Sequence, residues 1–459
     1  MAPRSKESIR PSFRAAGGAR VYLHLGSSLW SDVIPLMKDR GLWQHVVWDQ
    51  SSRRGGHPGH CEQRRRLGPH TYRSIEPRLY DQLHPLVYRF MSMYARNTRM
   101  NQGGYGTKTI HDFLDIFNIQ VSYYATVFVD ESIELILFSR APHTGADFVA
   151  YQVARALGIQ TLILQKNRHL GERFFHVFNM EDFGIYETSR VITEKQPFPI
   201  EHRFEKELDY MTDFYARDGW RDRIRDWPFY QFCSKVWRWR AVEEAWIQYQ
   251  CEKTFRHFDS KLTNPNPDLE GDFVYFPLQY QPEGNTTSWG GVYDDQLLAI
   301  EQLSSRLPPG WRILVKENPQ QIGYQRGKWF YERLAGIPQA ELVPRSMDTY
   351  ELLRRSRFAA TITGTIGWES ITGGKPVLIF GPGAWYRSLP GVILFTESFR
   401  IEDVLDYEFQ HADLEEAMSH LLTRCGHGHV FWKDVERIAE SDGSANARRV
   451  AESLTRILS

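Results

Sequence analysis

The stretch "TITGTIGWESITGGKPVLIFG", from Thr361 to Gly381, decides the fold. It reads as a short apolar strand, a Gly/Thr turn, one short helix and a second apolar strand. Such alternation belongs to an α/β protein. The turn has two readings. The first N–H groups of a helix lack partners and carry partial positive charge, so Thr363, Gly364, Thr365 and Gly367 suit a phosphate, with Glu369 placed to accept hydrogen bonds from a ribose diol. Alternatively the turn is a tight corner, with Gly364 supplying a positive φ and Glu369 favouring the helix start.

Working outward, the same texture recurs on both sides. "DFVYFPLQ" (272–279) and "WRILVKENP" (311–319) are strands with their loops, "DDQLLAIEQLSSRL" and "ELLRRS" are helices, and "VILFT" is a last strand. Nearer the start, "ARVYLHLG" (19–26) leads into the helical "LWSDVIPLMKDRG", and "HVVWDQ" (45–50) is the next strand. Further on, "IELILFSRAP" (133–142), "TGADFVAYQVARALG" (144–158) and "IQTLILQ" (159–165) form a strand–helix–strand unit. Connections this short imply parallel pairing through a right-handed crossover. The polar "SSRRGGHPGHCEQRRRLGPH" reads as an insertion or mobile loop. From Glu201 to His257 charges and aromatics recur at helical spacing, and "TNPNPDLEGD" marks the domain boundary.

The expected organisation is a tail (1–18), an N-terminal Rossmann-like domain (19–200), a helical connector (201–265), a C-terminal Rossmann-like domain (266–400) and C-terminal helices (401–459). A chain of 459 residues with 42% hydrophobic and 14% aromatic content supports two such cores. Lys plus Arg and Asp plus Glu balance at 56 each, so no global charge points to nucleic acid. Four scattered cysteines fit a reducing, cytoplasmic setting. No apolar run reaches the roughly 18 to 20 residues that span a bilayer, and the basic N-terminus lacks a signal-peptide core. Peripheral attachment at the inner membrane stays open. "HPGHC" and "CGHGH" lack a matching second half for a metal site, and the glycine turn lacks the Lys of a Walker loop.

Three loops of the second half follow strands and should emerge on one edge of the sheet, where α/β proteins bind ligands. They carry Tyr280, Gln281, Glu283, Asn285 and Thr286, then Lys316, Glu317 and Asn318, then the glycine turn. In the first half, His143 and Asp147 flank a helix start and suit acid, base or nucleophilic work; the alternative is a capped helix beside a surface histidine. Lys316 is either a phosphate-neutralising cation or a solvated lysine.

Taken together, "FVYFPLQYQPEGNTTSWGGVYDDQLLAI", "ILVKENP" and "TITGTIGWESITGGKPVLIFGPGAWY" resemble the bacterial capsule polysaccharide biosynthesis family, which includes retaining β-Kdo glycosyltransferases. Weaker echoes lie in "APHTGADFVAYQVARALGIQTLIL". The resemblance implies a GT-B-like fold, two facing Rossmann-like domains joined by a helical connector. It also implies a nucleotide-sugar donor held mainly by the C-terminal domain, with no cofactor and no obligatory metal. Thr363, Gly364, Thr365 and Gly367 would then hold donor phosphate, Glu369 would lie near the ribose, and Lys316 and Pro319 would line the nucleotide pocket beside Tyr280, Gln281 and Asn318. The catalytic candidates are His143, Asp147 and Glu283.

Two departures stand out. Members often carry His before Pro where this chain has Asn318. The Glu-Asp-Gly motif that supplies the catalytic aspartate of β-Kdo enzymes is not found, and Gln165 and Asn167 stand at the strand end "LILQKN". The expected activity is transfer of a sugar, with a CMP-linked ulosonic acid such as Kdo favoured, to a glycan or lipid-linked acceptor. A nucleotide-sugar epimerase and a non-catalytic assembly subunit are the alternatives.

Overall fold

Among the described residues, two six-stranded sheets organise the chain. The computed structural model describes residues 18–24, 26–48, 59–68, 77–100, 109–186, 189–201, 204, 239–281, 286, 289–319, 321 and 326–459. Residues 205–238 of the expected connector, and Glu283 and Asn285, lie outside them.

The second sheet contains β6 (Phe273–Pro277), β7 (Arg312–Lys316), β8 (Ala340–Val343), β9 (Phe358–Thr361), β10 (Val377–Ile379) and β11 (Val392–Leu394). Its order is β11-β10-β9-β6-β7-β8, and every neighbouring pair is parallel. Parallel strands covered on both faces must be apolar throughout. Phe273 and Tyr275 accordingly face one core while Val274 and Phe276 face another. The strand order reverses between β6 and β9, and that reversal opens a crevice beyond the strands' carboxyl ends.

The first sheet contains β1 (Ala19–His24), β2 (Trp43–Trp48), β3 (Leu135–Phe138), β4 (Gln160–Lys166), β5 (Arg173–Val177) and β12 (Gly426–His427), in the order β12-β5-β4-β3-β1-β2. The four strands β1 to β4 pair in parallel, as the strand–helix–strand pattern predicts, and reverse direction of winding between β1 and β3. β5 and β12 add in antiparallel sense. The architecture is therefore α/β with two Rossmann-like sheets.

Among the described residues, four α-helices sit between β2 and β3: α2 (His60–Leu67), α3 (Pro77–Leu83), α4 (Val87–Met100) and α5 (Ile110–Asp130). Part of the expected loop is thus helix. In that stretch the helix is His60–Leu67, whose Gln63 and Leu67, four residues apart, are buried. In α3 and α4, Leu83, Val87, Phe90 and Met93 recur every three or four residues and are all buried. Between β3 and β4 runs α6 (Gly145–Ala156).

α7 (Trp239–Leu262) carries the chain to the second sheet, where Thr263 bridges Leu342 and Asn264 N–H donates to Leu342 O at 2.9 Å. In the second domain α8 (Gln296–Ser304), α9 (Lys328–Ala335), α10 (Thr349–Arg355) and α11 (Ile366–Thr372) alternate with the strands, followed by α12 (Glu402–Leu405) and α13 (His411–Leu422). The chain then returns to the first domain. β12 pairs with β5, and α14 (Trp432–Leu458) packs on α1 (Leu29–Asp39), with Val450, Ala451 and Leu454 meeting Leu29, Trp30 and Val33 in one core.

Candidate active site

The loop leaving β6 is extended and lies beyond the sheet, so its backbone groups need partners other than strands. Two glutamines supply them. Gln296 Oε1 accepts from Gln279 N–H at 2.7 Å while its Nε2 donates to Gln279 O at 2.9 Å. Gln321 does the same for Gln281, at 3.0 Å in each direction. Each amide imitates one residue of a neighbouring strand. Arg326 locks the same loop from beneath. Its guanidinium is buried against Glu317, 3.1 Å away, and donates to Gln279 O at 3.0 Å and to Gln281 Oε1.

The Gln279 side chain then crosses the reversal of strand order. Its Oε1 accepts from Thr363 N–H at 3.0 Å, and its Nε2 donates to Thr363 Oγ1 at 3.4 Å. β6 and β9 are thereby tied together at the mouth of the crevice. Thr363 is buried, Gly364 half-buried and Thr365 exposed. Tyr280 is buried beside this loop.

Neither Gly364 nor Gly367 has a positive φ. Their glycines answer to close approach. A Cβ on Gly364 would lie 2.7 Å from Thr361 Oγ1, and one on Gly367 would lie 2.2 Å from the Tyr386 hydroxyl. The Tyr386 hydroxyl donates to Gly364 O. Every residue of α11 is buried, Glu369 included. Burial, reinforced by the charge of Glu369, raises the Tyr386 pKa above its ordinary value and keeps the phenol protonated.

Lys316 ends β7 at the same edge, but its ammonium is buried. Nζ donates to Met347 O at 2.6 Å and to Thr349 Oγ1 at 2.8 Å, at the start of α10. Burial lowers its pKa to about 8, partly offset by Asp348. Asn318 N–H donates to Glu317 Oε1 at 2.8 Å, and Asn318 O accepts from Gln321 N–H at 2.9 Å, with Pro319 in the turn between.

In the first sheet His143 and Asp147 lie beyond β3, beside the reversal between β1 and β3. His143 Nδ1 is 2.7 Å from Ala141 O. A carbonyl only accepts, so Nδ1 carries the hydrogen and the lone pair of the neutral ring resides on Nε2. Asp147 is fully buried and closes the capping box of α6, its oxygens accepting from His143 N–H at 3.1 Å and Thr144 N–H at 2.6 Å. Burial raises its pKa against the opposing pull of Arg140 and those hydrogen bonds. Gln165 Oε1 accepts from Ala141 N–H at 3.1 Å, and Asn167 Oδ1 accepts from His169 N–H at 2.9 Å. Both side chains brace loops.

A joint of aromatic rings holds the two domains together. His169, in the turn between β4 and β5, stacks on Trp385 with centroids 6.0 Å apart and lies 5.7 Å from Trp368. Phe183 meets Trp289 at 4.8 Å. Gly184, at φ +81°, lets the chain pass where a Cβ would lie 2.4 Å from Ala384 O. Sequence reasoning missed Gln279, Gln296, Gln321, Arg326 and this joint. The signal available was the adjacency of "WY" to the glycine-rich "GPGA". Among the described residues no group of three His, Cys, Asp or Glu is placed to hold a metal. The backbone N–H groups of His427 and His429 donate to Ser453 Oγ and Asn446 Oδ1, and the His429 ring lies 3.6 Å from the Glu172 carboxylate.

Two facing Rossmann-like domains, with polar loops at the crevice of each, define a protein of the GT-B type. Residues 234–420 match the family described as "Capsule polysaccharide biosynthesis protein". The matched range contains the whole second sheet and stops short of the first. No curated protein matches the chain.

Among solved structures, the β-Kdo 2,7 transferase KpsC of Thermosulfurimonas dismutans is similar at 10% identity. That match covers 96% of this chain and 100% of that one, with a TM-score of 0.33. The β-Kdo 2,4 transferase of the same organism matches at 12% identity over 66% of this chain and 85% of that one, with a TM-score of 0.27. The UDP-GlcNAc 2-epimerase of Neisseria meningitidis, bound to UDP-GlcNAc, matches at 10% identity over 96% of this chain and 98% of that one, with a TM-score of 0.18.

Proposed function

We propose that the protein is a glycosyltransferase of bacterial surface-polysaccharide synthesis, taking its sugar from a nucleotide donor seated in the crevice between β6 and β9. The observation that carries this reading is convergence. The loops of all three motifs in the family-matched segment follow strands at one edge of the sheet, the first tied to the third by Gln279 and Thr363 and to the second by Arg326 on Glu317. The exposed Thr365 offers its hydroxyl and backbone N–H to phosphate, while Gly364, whose own N–H donates to Thr361 Oγ1 at 3.2 Å, shapes the turn with Thr363 and Gly367. Glu369 lies near the ribose. Tyr280, Gln281, Asn318 and Pro319 line the nucleotide side, with Lys316 as its floor.

A CMP-linked ulosonic acid is the favoured donor and a glycan or lipid-linked acceptor the favoured recipient. His143 is the favoured base. Its Nε2 takes the proton of the acceptor hydroxyl as that oxygen bonds to the anomeric carbon, and the donor phosphate leaves with the electrons of the broken bond. Asp147 holds the loop that carries His143, and Glu283 remains a second carboxylate candidate. The favoured setting is the cytoplasm, with peripheral attachment at the inner membrane left open; no described helix is long and apolar enough to cross a membrane.

A non-catalytic assembly subunit is the second reading. It is favoured by the engagement of Asp147, Gln165 and Asn167 in structural hydrogen bonds. An epimerase acting on the donor alone is the third. The test is titration calorimetry with CMP, UDP, GDP and ADP, followed by turnover of the matching nucleotide-sugar with and without a glycan acceptor. Nucleotide release that requires acceptor supports transfer. Epimerised donor without acceptor supports the third reading, and binding without turnover the second. Absence of binding by all four nucleotides overturns the donor site.

A further inference from the structure

The turn Thr363–Thr365 is held from two sides. Gln279 grips Thr363 from β6. From the other side Tyr386, wholly buried, donates its hydroxyl to Gly364 O and fills the space that the missing side chain of Gly367 leaves. Tyr386 has no freedom of its own, because its neighbour Trp385 packs edge-on against it at 5.5 Å. Trp385 is in turn fixed by Trp368 at 4.9 Å, by Phe175 at 5.9 Å and by the ring of His169 at 6.0 Å. His169 and Phe175 belong to the first domain. A continuous chain of contacts therefore runs from the joint between the domains to the carbonyl of Gly364.

We propose that Tyr386 is a positioning residue for the donor's phosphate, setting the Gly364 peptide through its hydroxyl, and that Trp385 makes this setting depend on the first domain. Fixing the Gly364 carbonyl fixes the plane of the peptide it shares with Thr365, and so the direction of the Thr365 N–H at the mouth of the crevice. The effect is confined to the phosphate end of the ligand, because Tyr386 stands behind the turn and the loops after β6 and β7 line the other side. This inference rests on the donor-site reading above and adds the residues that shape it.

The experiment compares Tyr386→Phe with the wild-type chain by calorimetry, using CMP, UDP, GDP and ADP and the corresponding nucleosides. Phe keeps the ring against Gly367 and removes only the hydroxyl. The expected result is about ten-fold weaker binding of the nucleotide that wild type prefers, with nucleoside affinity unchanged. Trp385→Leu, which leaves the turn and Tyr386 intact, is expected to give the same selectivity at about three-fold, and it decides the matter if Tyr386→Phe does not fold. Equal weakening of nucleotide and nucleoside, or no weakening of either, overturns the positioning role and leaves the donor site standing. A wild-type chain that binds no nucleotide overturns both.

Discussion

Gln279 and Thr363 face each other across the reversal of strand order in the second sheet, joined by two hydrogen bonds of 3.0 and 3.4 Å. One side chain thus holds together the two strands whose divergence creates the crevice. Gln279→Leu leaves Thr363 N–H without its acceptor in a buried setting, which costs about 1–3 kcal/mol. The expected outcome is a lower melting temperature together with weaker nucleotide binding. An unchanged affinity in a destabilised protein would show that the crevice does not depend on this tie.

Arg326 and Glu317 form a buried ion pair under the same loop, and Arg326 also holds Gln279 O. Breaking one partner of such a pair strands a charge. Arg326→Met is expected to cost about 3–5 kcal/mol in chemical denaturation. Arg326→Met combined with Glu317→Leu should recover part of that loss, because the stranded carboxylate is gone. A double variant as unstable as the single one would mean that the loop contacts of Arg326, not its charge, set the stability.

Much of the fold was legible because parallel strands buried on both faces read as uninterrupted apolar runs. "DFVYFP", "RILVK" and "VLIF" needed no context. The glycine turn was legible as a loop after a strand at a crevice. Its glycines were not legible in their reason, since the Tyr386 ring that Gly367 accommodates is distant in sequence from it and near only after folding. β12 has two residues and no apolar pattern, and it exists because the first sheet's edge strand offers unpaired backbone to it. The glutamine pairs were equally hidden: Gln296 and Gln321 look like any surface glutamine until the extended loop after β6 presents its backbone to them.

His176 on β5 is buried, and its Nδ1 finds no hydrogen-bond partner among the described residues. Burial lowers its pKa from 6.5 to about 4. The unfolded chain therefore binds a proton between these values that the folded chain does not. The contribution of the neutral ring is complete above about pH 6.5, falls as the pH drops, and is lost below about pH 4. It amounts to about 3 kcal/mol at most. Denaturation midpoints measured from pH 7 to 4 should fall in wild type and fall less steeply in His176→Leu. Parallel curves for the two proteins would exclude His176 as the source.

Lys316 and Thr365 separate the two ways a residue at this crevice can matter. The Lys316 ammonium is spent on Met347 O and Thr349 Oγ1, so Lys316→Met leaves two acceptors unpaired and is expected to cost about 1–3 kcal/mol of stability. Its effect on nucleotide affinity should stay within about two-fold, because the cation is turned away from the mouth. Thr365 is exposed and stands immediately before α11, where a carboxylate is favoured by the helix's own partial charge. Thr365→Glu should therefore melt at or above the wild-type temperature while repelling a phosphate and weakening nucleotide binding by about ten-fold or more. Melting curves and calorimetry on the two variants give opposite patterns if phosphate meets the turn. If Lys316→Met loses affinity and Thr365→Glu keeps it, the phosphate lies against the lysine, and the ammonium must leave Met347 when the donor binds.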